Sequence, residues 1–408
     1  MNFSLNKPGK SRDILLIFLI VFGALLYRRF DAFTRPQLWA EDYAIYFLQY
    51  EQFGFKALFM PYGGYLHFVP RLVAMLWGSL HVDYLYIPVC YSISEFLITF
   101  FIAINIRKTC VYLDIKHKIV YATFFLFLPL GSDIYMNLTN VNWIVSLYLI
   151  NFLFTRYTDH TNKNYYLNLA ALLLASLSGP FSTLLIPLIV LVIIRERKEL
   201  NFRKIVPLGV IIACGIIQLI YIKFIDPNFY RGVSGSPEDY HLFALFTNNM
   251  SQFLFLKYDF FPWLSQGATM LISSVVLLLF VYIFITRYVK MDNKRRYLLL
   301  CYAIIAFCAF IKAYWPNESR VLALDNPRYY FIPYLCIAWI MLLSFDRKIT
   351  PLFIGLYLVF FIAQHRYLKM TLPDKHWKKQ IQEYYDGKRQ EIDINPEGWH
   401  FPAPPIKK

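Results

Sequence analysis

The chain has 408 residues, of which 58% are hydrophobic, 19% aromatic and only 16% charged, a balance that excludes both a water-soluble enzyme and a disordered chain. Its 41 lysines and arginines against 26 acidic residues give a formal charge of +15. These cations stand in short runs between apolar stretches, as topology signals do, and no nucleic-acid partner is expected.

Apolar segments are spread over the whole length, so the expected fold is all-α: a polytopic membrane protein embedded in a lipid bilayer. Met1 to Arg12 is basic, no small-residue cleavage site follows Ile14 to Tyr27, and this first segment is read as a retained span. Apolar runs measured against bilayer thickness predict about eleven transmembrane helices. They lie near 12–28, 84–106, 118–132, 140–155, 165–178, 181–194, 205–224, 267–287, 297–313, 329–345 and 350–364. Ser178-Gly179-Pro180 suits a tight turn between two antiparallel helices. Residues 66–82 carry His67, Pro70 and Arg71. A central arginine costs roughly 2.5–3.5 kcal/mol on insertion, so this stretch is a juxtamembrane or re-entrant helix.

The short loops carry clusters such as Arg107/Lys108/Lys116/Lys118, Arg195/Arg197/Lys198/Arg203/Lys204 and Arg287/Lys290/Lys294/Arg295/Arg296. The positive-inside rule then makes the N-terminus cytoplasmic and the C-terminus exterior. A transmembrane region, 1–364, precedes a short exterior tail, 365–408; the first exterior loop, 28–83, carries the juxtamembrane helices. Nothing resembles a nucleotide-binding glycine loop, and no internal repeat supports a transporter. The six cysteines fall in apolar stretches or, for Cys110, in a basic loop, and are read as buried filler.

The densest chemistry lies in the first exterior loop. As a helix, Trp39, Tyr43, Tyr46, Phe47 and Tyr50 form one aromatic stripe, the pattern of a helix lying in the membrane interface. Asp42 borders the stripe beside Tyr46 and Gln49, while Glu41 points away, so the two carboxylates have different roles. Either Glu41-Asp42 simply opens a helix, where the dipole favours negative charge, or a carboxylate accepts a proton from a substrate hydroxyl. Tyr62-Gly63-Gly64-Tyr65, His67 and Arg71 follow. Glycines permit close backbone approach, tyrosines stack on sugar rings, and an arginine grips a phosphate with a fork of donors.

The order W-A-E-D (Trp39–Asp42), P-Y-G-G-Y-L (Pro61–Leu66) and P-R (Pro70-Arg71) resembles the GT-C superfamily of polyprenyl-phosphate-sugar-dependent glycosyltransferases, and among them bacterial O-antigen (Gtr-type) glucosyltransferases. The D-N-P-R-Y-Y-F-I-P run at Asp325–Pro333 and the tail motif I-N-P-E-G-W at Ile394–Trp399 are similar too. The resemblance implies an inverting transferase in a bacterial inner membrane, working on the periplasmic face. It would move a hexose such as glucose from a polyprenyl phosphate to a hydroxyl of a lipid-linked glycan such as the O-antigen of lipopolysaccharide. A donor synthase and a flippase would be its partners, and the lipid-linked donor would serve without a further cofactor. Carried onto this chain, Asp42 becomes the base, Glu41 its supporting neighbour and Arg328 a contact for the donor phosphate. A soluble C-terminal domain of the family has no counterpart in the short tail here. The alternatives are an O-antigen polymerase, whose arginine-rich exterior loop is not matched by 225–266, and a lipid-linked glycan flippase.

Arg71, Lys312, Arg320 and Arg328 are the cations available to steady a leaving phosphate. Arg328 and Lys312 equally suit snorkelling at helix ends, and Tyr329 suits the aromatic belt or a substrate contact. Trp39, Tyr62, Tyr65 and His67 are the substrate-contact candidates. Glu95 sits mid-span, either as a functional group whose partner is Arg71 or a polar group on a neighbouring helix, or as a structural tie between helices. Asn137, Asn140, Asn142 and Trp143 line a sugar site or cap a helix, and Trp399 anchors to the interface or stacks on a sugar. The eight histidines show no ligand spacing, and no metal site is assigned.

Overall fold

The computed structural model describes residues 9–112, 117–155, 162–198, 200–225, 266–290, 293–314, 327–345, 349–363 and 368–404. The chain is mostly helical. It begins with α1 (Gly9–Arg28), α2 (Phe30–Thr34), α3 (Leu48–Phe53), α4 (Phe68–Ser79) and α5 (Ile87–Tyr112). Next come α6 (Lys118–Thr123), α7 (Val141–Thr155), α8 (Asn162–Ser176), α9 (Phe181–Glu196) and α10 (Phe202–Ile220). The later helices are α11 (Gln266–Lys290), α12 (Asn293–Tyr314), α13 (Phe331–Ser344), α14 (Ile349–Ala363) and α15 (Trp377–Tyr385). A helix lies within each apolar stretch read as a span, although in 118–132 it is only the six-residue α6, followed by a 3-10 turn at Phe124–Phe127. Among the described residues, Tyr84–Lys108 and Phe202–Ile225 are long and apolar enough to cross a membrane, by length and composition. At 12 residues, α4 is roughly 18 Å long and too short for a hydrocarbon core of about 30 Å.

The chain divides into two compact units. One comprises Met1–Asp114, Asp133–Arg231 and Met370–Lys408, the other Ile115–Ser132 and Gly232–Lys369. The tail is thus not a separate piece, as 365–408 was expected to be: from Met370 it belongs to the first unit. The reason lies in its pattern. Trp377, Ile381 and Tyr384 recur at helical spacing along one face of α15, and Ile392 and Ile394 alternate along β3 (Glu391–Ile394), which pairs antiparallel with β4 (Trp399–Pro402). All five are buried in one apolar cluster with Tyr43, Tyr46, Phe47, Val73 and Tyr84.

That cluster corrects the expectation of an interfacial aromatic helix. Tyr43, Tyr46 and Phe47 are at most 1% exposed, because the tail covers the stripe with apolar side chains. The Tyr43 and Trp377 rings meet edge to face at 5.9 Å, and the Trp377 indole donates to the Tyr84 carbonyl at 3.0 Å. Trp399 is half-buried against the same cluster, so a protein surface rather than lipid receives it.

Within the first unit α1 runs along α5 through Phe18, Phe22, Phe96 and Phe100. Helices α9 and α10 approach closely at Gly215, where a Cβ would lie 2.9 Å from Ile186 Cδ1 and 3.0 Å from the Ser182 carbonyl oxygen. A Gly215→Leu substitution is therefore expected to cost about 1–3 kcal/mol, read as a lower midpoint of thermal unfolding in detergent. In the second unit α13 is buried along nearly its whole length. The Trp339 indole donates to the Tyr121 carbonyl at 3.0 Å, and the Tyr121 and Tyr302 hydroxyls are 2.6 Å apart.

Candidate active site

The first loop is tied down at both ends before it reaches its carboxylates. Arg29, just after α1, donates from Nε and Nη2 to the Asp31 carboxylate at 3.2 and 3.1 Å and from Nη1 to the Tyr135 carbonyl at 2.7 Å, all buried. Further on, the Ala40 N–H donates to the Asn395 carbonyl at 2.6 Å, and Trp39 forms a parallel bridge with Asn395. The two motifs W-A-E-D and I-N-P-E-G-W are thus physically joined. Ala40 is held at φ 38°, a left-handed conformation that a non-glycine residue adopts only under constraint. Asp42–Phe47 then forms a π-helical segment, a geometry that concentrates at functional sites.

Asp42 is 1% exposed. Its Oδ1 accepts from the Thr139 N–H and hydroxyl, both at 2.7 Å, and its Oδ2 accepts a long 3.4 Å bond from the Trp39 N–H. Burial pushes its pKa up from the ordinary 3.8 to about 7, against the Thr139 bonds that favour the carboxylate; the neighbouring Glu41 charge adds to the rise. Glu41 is half-buried and accepts from the Tyr62 hydroxyl at 2.7 Å. The two adjacent carboxylates accordingly sit in different environments: one dry and poised near neutrality, the other at the edge.

Thr139 was not among the candidates; the nearest signal in the sequence was the run of asparagines between two apolar helices. The run folds on itself: Asn137 Nδ2 and Asn140 Nδ2 donate to the Asp133 carbonyl, and Asn137 Oδ1 accepts from the Asn140 N–H just before α7. Replacing Thr139 by Val keeps the backbone bond and shape but removes the hydroxyl donor that lowers the Asp42 pKa. The pH limb assigned to Asp42 is expected to move upward, as read from the pH dependence of turnover.

Gly63 and Gly64 form a tight turn. They sit at φ 63° and 84° between β1 (Pro61–Tyr62) and β2 (Tyr65–Leu66), the two-positive-φ hairpin turn that glycine makes at no steric cost. The hairpin is gripped by the Ser178-Gly179 turn: the Gly179 N–H donates to the Leu66 carbonyl at 2.9 Å, and Ser178 Oγ accepts from the Val69 N–H at 2.8 Å. Tyr65 consequently stacks on His67 with ring centroids 4.6 Å apart, and Tyr62 lies 5.7 Å from the same ring.

His67 is buried and neutral, its pKa lowered to about 3 by burial and then by the Arg71 charge. Its Nε2 faces the Tyr62 carbonyl at 2.9 Å, an acceptor only, so the proton is on Nε2. Nδ1 then accepts from the Tyr46 hydroxyl at 3.0 Å and from Asn142 Nδ2 at 2.6 Å. Arg71, on α4, is 2% exposed, and none of its three guanidinium nitrogens has a hydrogen-bond partner among the described residues. It lies 5.7 Å from the Tyr46 ring, and burial lowers its pKa only to about 10, leaving a cation at neutral pH.

Glu95 is buried in α5, but its partner is not Arg71. It accepts from the Thr99 hydroxyl at 3.2 Å and from the Met136 N–H, with Arg29 as the attracting charge. It ties α5 to the segment that holds Asp42. Trp143 packs edge-on against Phe181 at 5.1 Å. Arg328 and Tyr329 belong to the second unit, where the guanidinium lies 5.6 Å over the Tyr329 ring. Lys312 falls in α12 of that unit, and Arg320 lies outside the described residues. No family model, curated protein or solved structure matches the chain.

Proposed function

We propose that this protein is an integral membrane glycosyltransferase that moves a hexose from a polyprenyl phosphate to a hydroxyl of a lipid-linked glycan on the exterior face of a bacterial inner membrane. The observation that carries the proposal is a buried carboxylate poised near neutrality and a buried, unneutralised guanidinium meeting around one tyrosine, Tyr46. A single charge left unpaired in a dry site is costly unless a ligand of opposite charge completes it. A phosphate does so with a fork of hydrogen bonds.

In this scheme Asp42 takes the proton from the acceptor hydroxyl as its oxygen attacks the anomeric carbon. The bond from that carbon to the donor phosphate breaks with inversion, and Arg71 stabilises the charge on the departing phosphate. Neutral His67, fixed by Tyr46, Asn142 and the Tyr62 carbonyl, leaves the Arg71 charge undiluted and offers the stacked face of Tyr65 to a sugar ring. Glu41 and Tyr62 form the half-buried edge, where Glu41 supports Asp42. Arg328 keeps the snorkelling role that the sequence also allows.

About eleven spans, with a cytoplasmic N-terminus, are part of the same proposal; the apolar stretches and the basic short loops support them. The test is a membrane assay with labelled polyprenyl-phosphate hexoses. Label passing from the donor to a lipid-linked glycan supports the assignment, and intact donor after prolonged incubation with active-folded protein rejects it.

A further inference from the structure

A groove of about 690 Å³ opens between α1 and α5 under the start of α15, a size within the roughly 300–1,000 Å³ of ligand sites. Its apolar walls include Phe22, Ile93 and Phe96, and Phe22 and Ile93 are 39% and 48% exposed. Its rim is polar. Arg35, Lys378 and Lys379 stand there against one carboxylate, Asp374, a surplus of two positive charges. Arg35 lies 3.8 Å from Asp374, as does Lys379 from Glu383, while Lys378 is exposed. None of Glu41, Asp42, His67 or Arg71 lines the groove, so it is distinct from the site above. The floor is shared with that site's supports: Met136, whose N–H holds Glu95, and Trp377, which packs on Tyr43 next to Asp42.

We infer that this groove holds one acidic glycerophospholipid of the surrounding bilayer, its phosphate at Arg35, Lys378 and Lys379 and an acyl chain between α1 and α5. An apolar slot open toward lipid with a cationic rim at one end matches the two halves of such a molecule, and the surplus charge selects an anionic headgroup over a zwitterionic one. The occupant belongs to the bilayer and is not consumed. Seated against Trp377 and Met136, it braces the tail helix on the first loop and so keeps Asp42 in its dry setting. The inference rests on the membrane location of α1 and α5, not on glycosyl transfer.

The test uses the full chain in nanodiscs of equal parts phosphatidylglycerol and phosphatidylcholine. After release into mild detergent, native mass spectrometry counts the retained lipid. One phosphatidylglycerol is expected to be retained in preference to phosphatidylcholine by about tenfold. The double variant Lys378→Gln/Lys379→Gln, which removes the surplus charge at exposed positions, is expected to lose the preference. Ile93→Trp, which fills the slot from an exposed position, is expected to lose retention of both lipids. Equal retention of the two lipids by the wild-type chain, or an unchanged preference in the double variant, would overturn the assignment. So would displacement of phosphatidylglycerol by equimolar polyprenyl phosphate, which would make the groove a substrate site. Because the readout is a mass, a chain without transferase activity still answers it.

Discussion

Asp42→Asn is expected to reduce glycosyl transfer about 100- to 10,000-fold while leaving the protein folded. Asparagine keeps an oxygen able to accept both bonds from Thr139, so the local structure survives, but the side chain no longer takes up a proton at neutral pH. With the native residue, turnover at low donor concentration should rise with pH and level off above about 7, the value to which burial raises Asp42. The variant's residual rate should lack this limb. The same proton has a consequence for stability. The folded chain holds it up to about pH 7, whereas an unfolded aspartate releases it near pH 4. Between those values the folded state binds more protons, and the contribution of Asp42 to stability falls as pH rises. A variant with the wild-type rate and pH profile would remove Asp42 as the base.

Arg71→Met separates function from structure with opposite signs. Methionine is long, flexible and apolar, so it occupies the same space without bringing a charge into a dry site. Because no group among the described residues hydrogen-bonds the guanidinium, its removal relieves a desolvation cost that the Tyr46 ring alone offsets weakly. The unfolding midpoint is expected to hold or rise, with a gain of up to about 1–4 kcal/mol on the scale seen when buried charges give way to packed apolar groups. Transfer is expected to fall about 100-fold or more, with a raised requirement for donor, because a preorganised cation facing the leaving phosphate is lost. A structural arginine would behave in reverse, losing stability first and activity only in proportion. A drop in the midpoint with unchanged donor dependence would therefore refute the phosphate role.

Much of the helical layout was legible because its signals are local. Apolar runs of bilayer length, Ser178-Gly179-Pro180, and the arginine that argued against a full span at 66–82 each express a cost borne by the residues concerned. The different environments of Glu41 and Asp42 were legible for the same reason, since adjacent residues on a helix face different ways. The tail was legible in part. It was expected as an exterior segment, but the apolar face formed by Trp377, Ile381 and Tyr384 was not read from the sequence, and the aromatic stripe of the first loop, taken for a membrane-facing surface, proved to be what covers it.

The remainder depended on contacts between residues far apart in the chain. Thr139 holds Asp42 across 97 positions and Asn142 reaches His67 across 75. No period or motif encodes such pairs; they arise when separately formed elements pack. Glu95 met Thr99 and Met136 instead of Arg71, and Arg71 was left without a hydrogen-bond partner among the described residues. By itself the sequence determined which segments are apolar enough to be helices and which residues have titratable or cationic side chains. Only the tertiary structure decided which of those groups are dried, paired or left unpaired. Desolvation and hydrogen bonding depend on what surrounds an atom in space, and they alone turn an ordinary aspartate into one poised near neutrality.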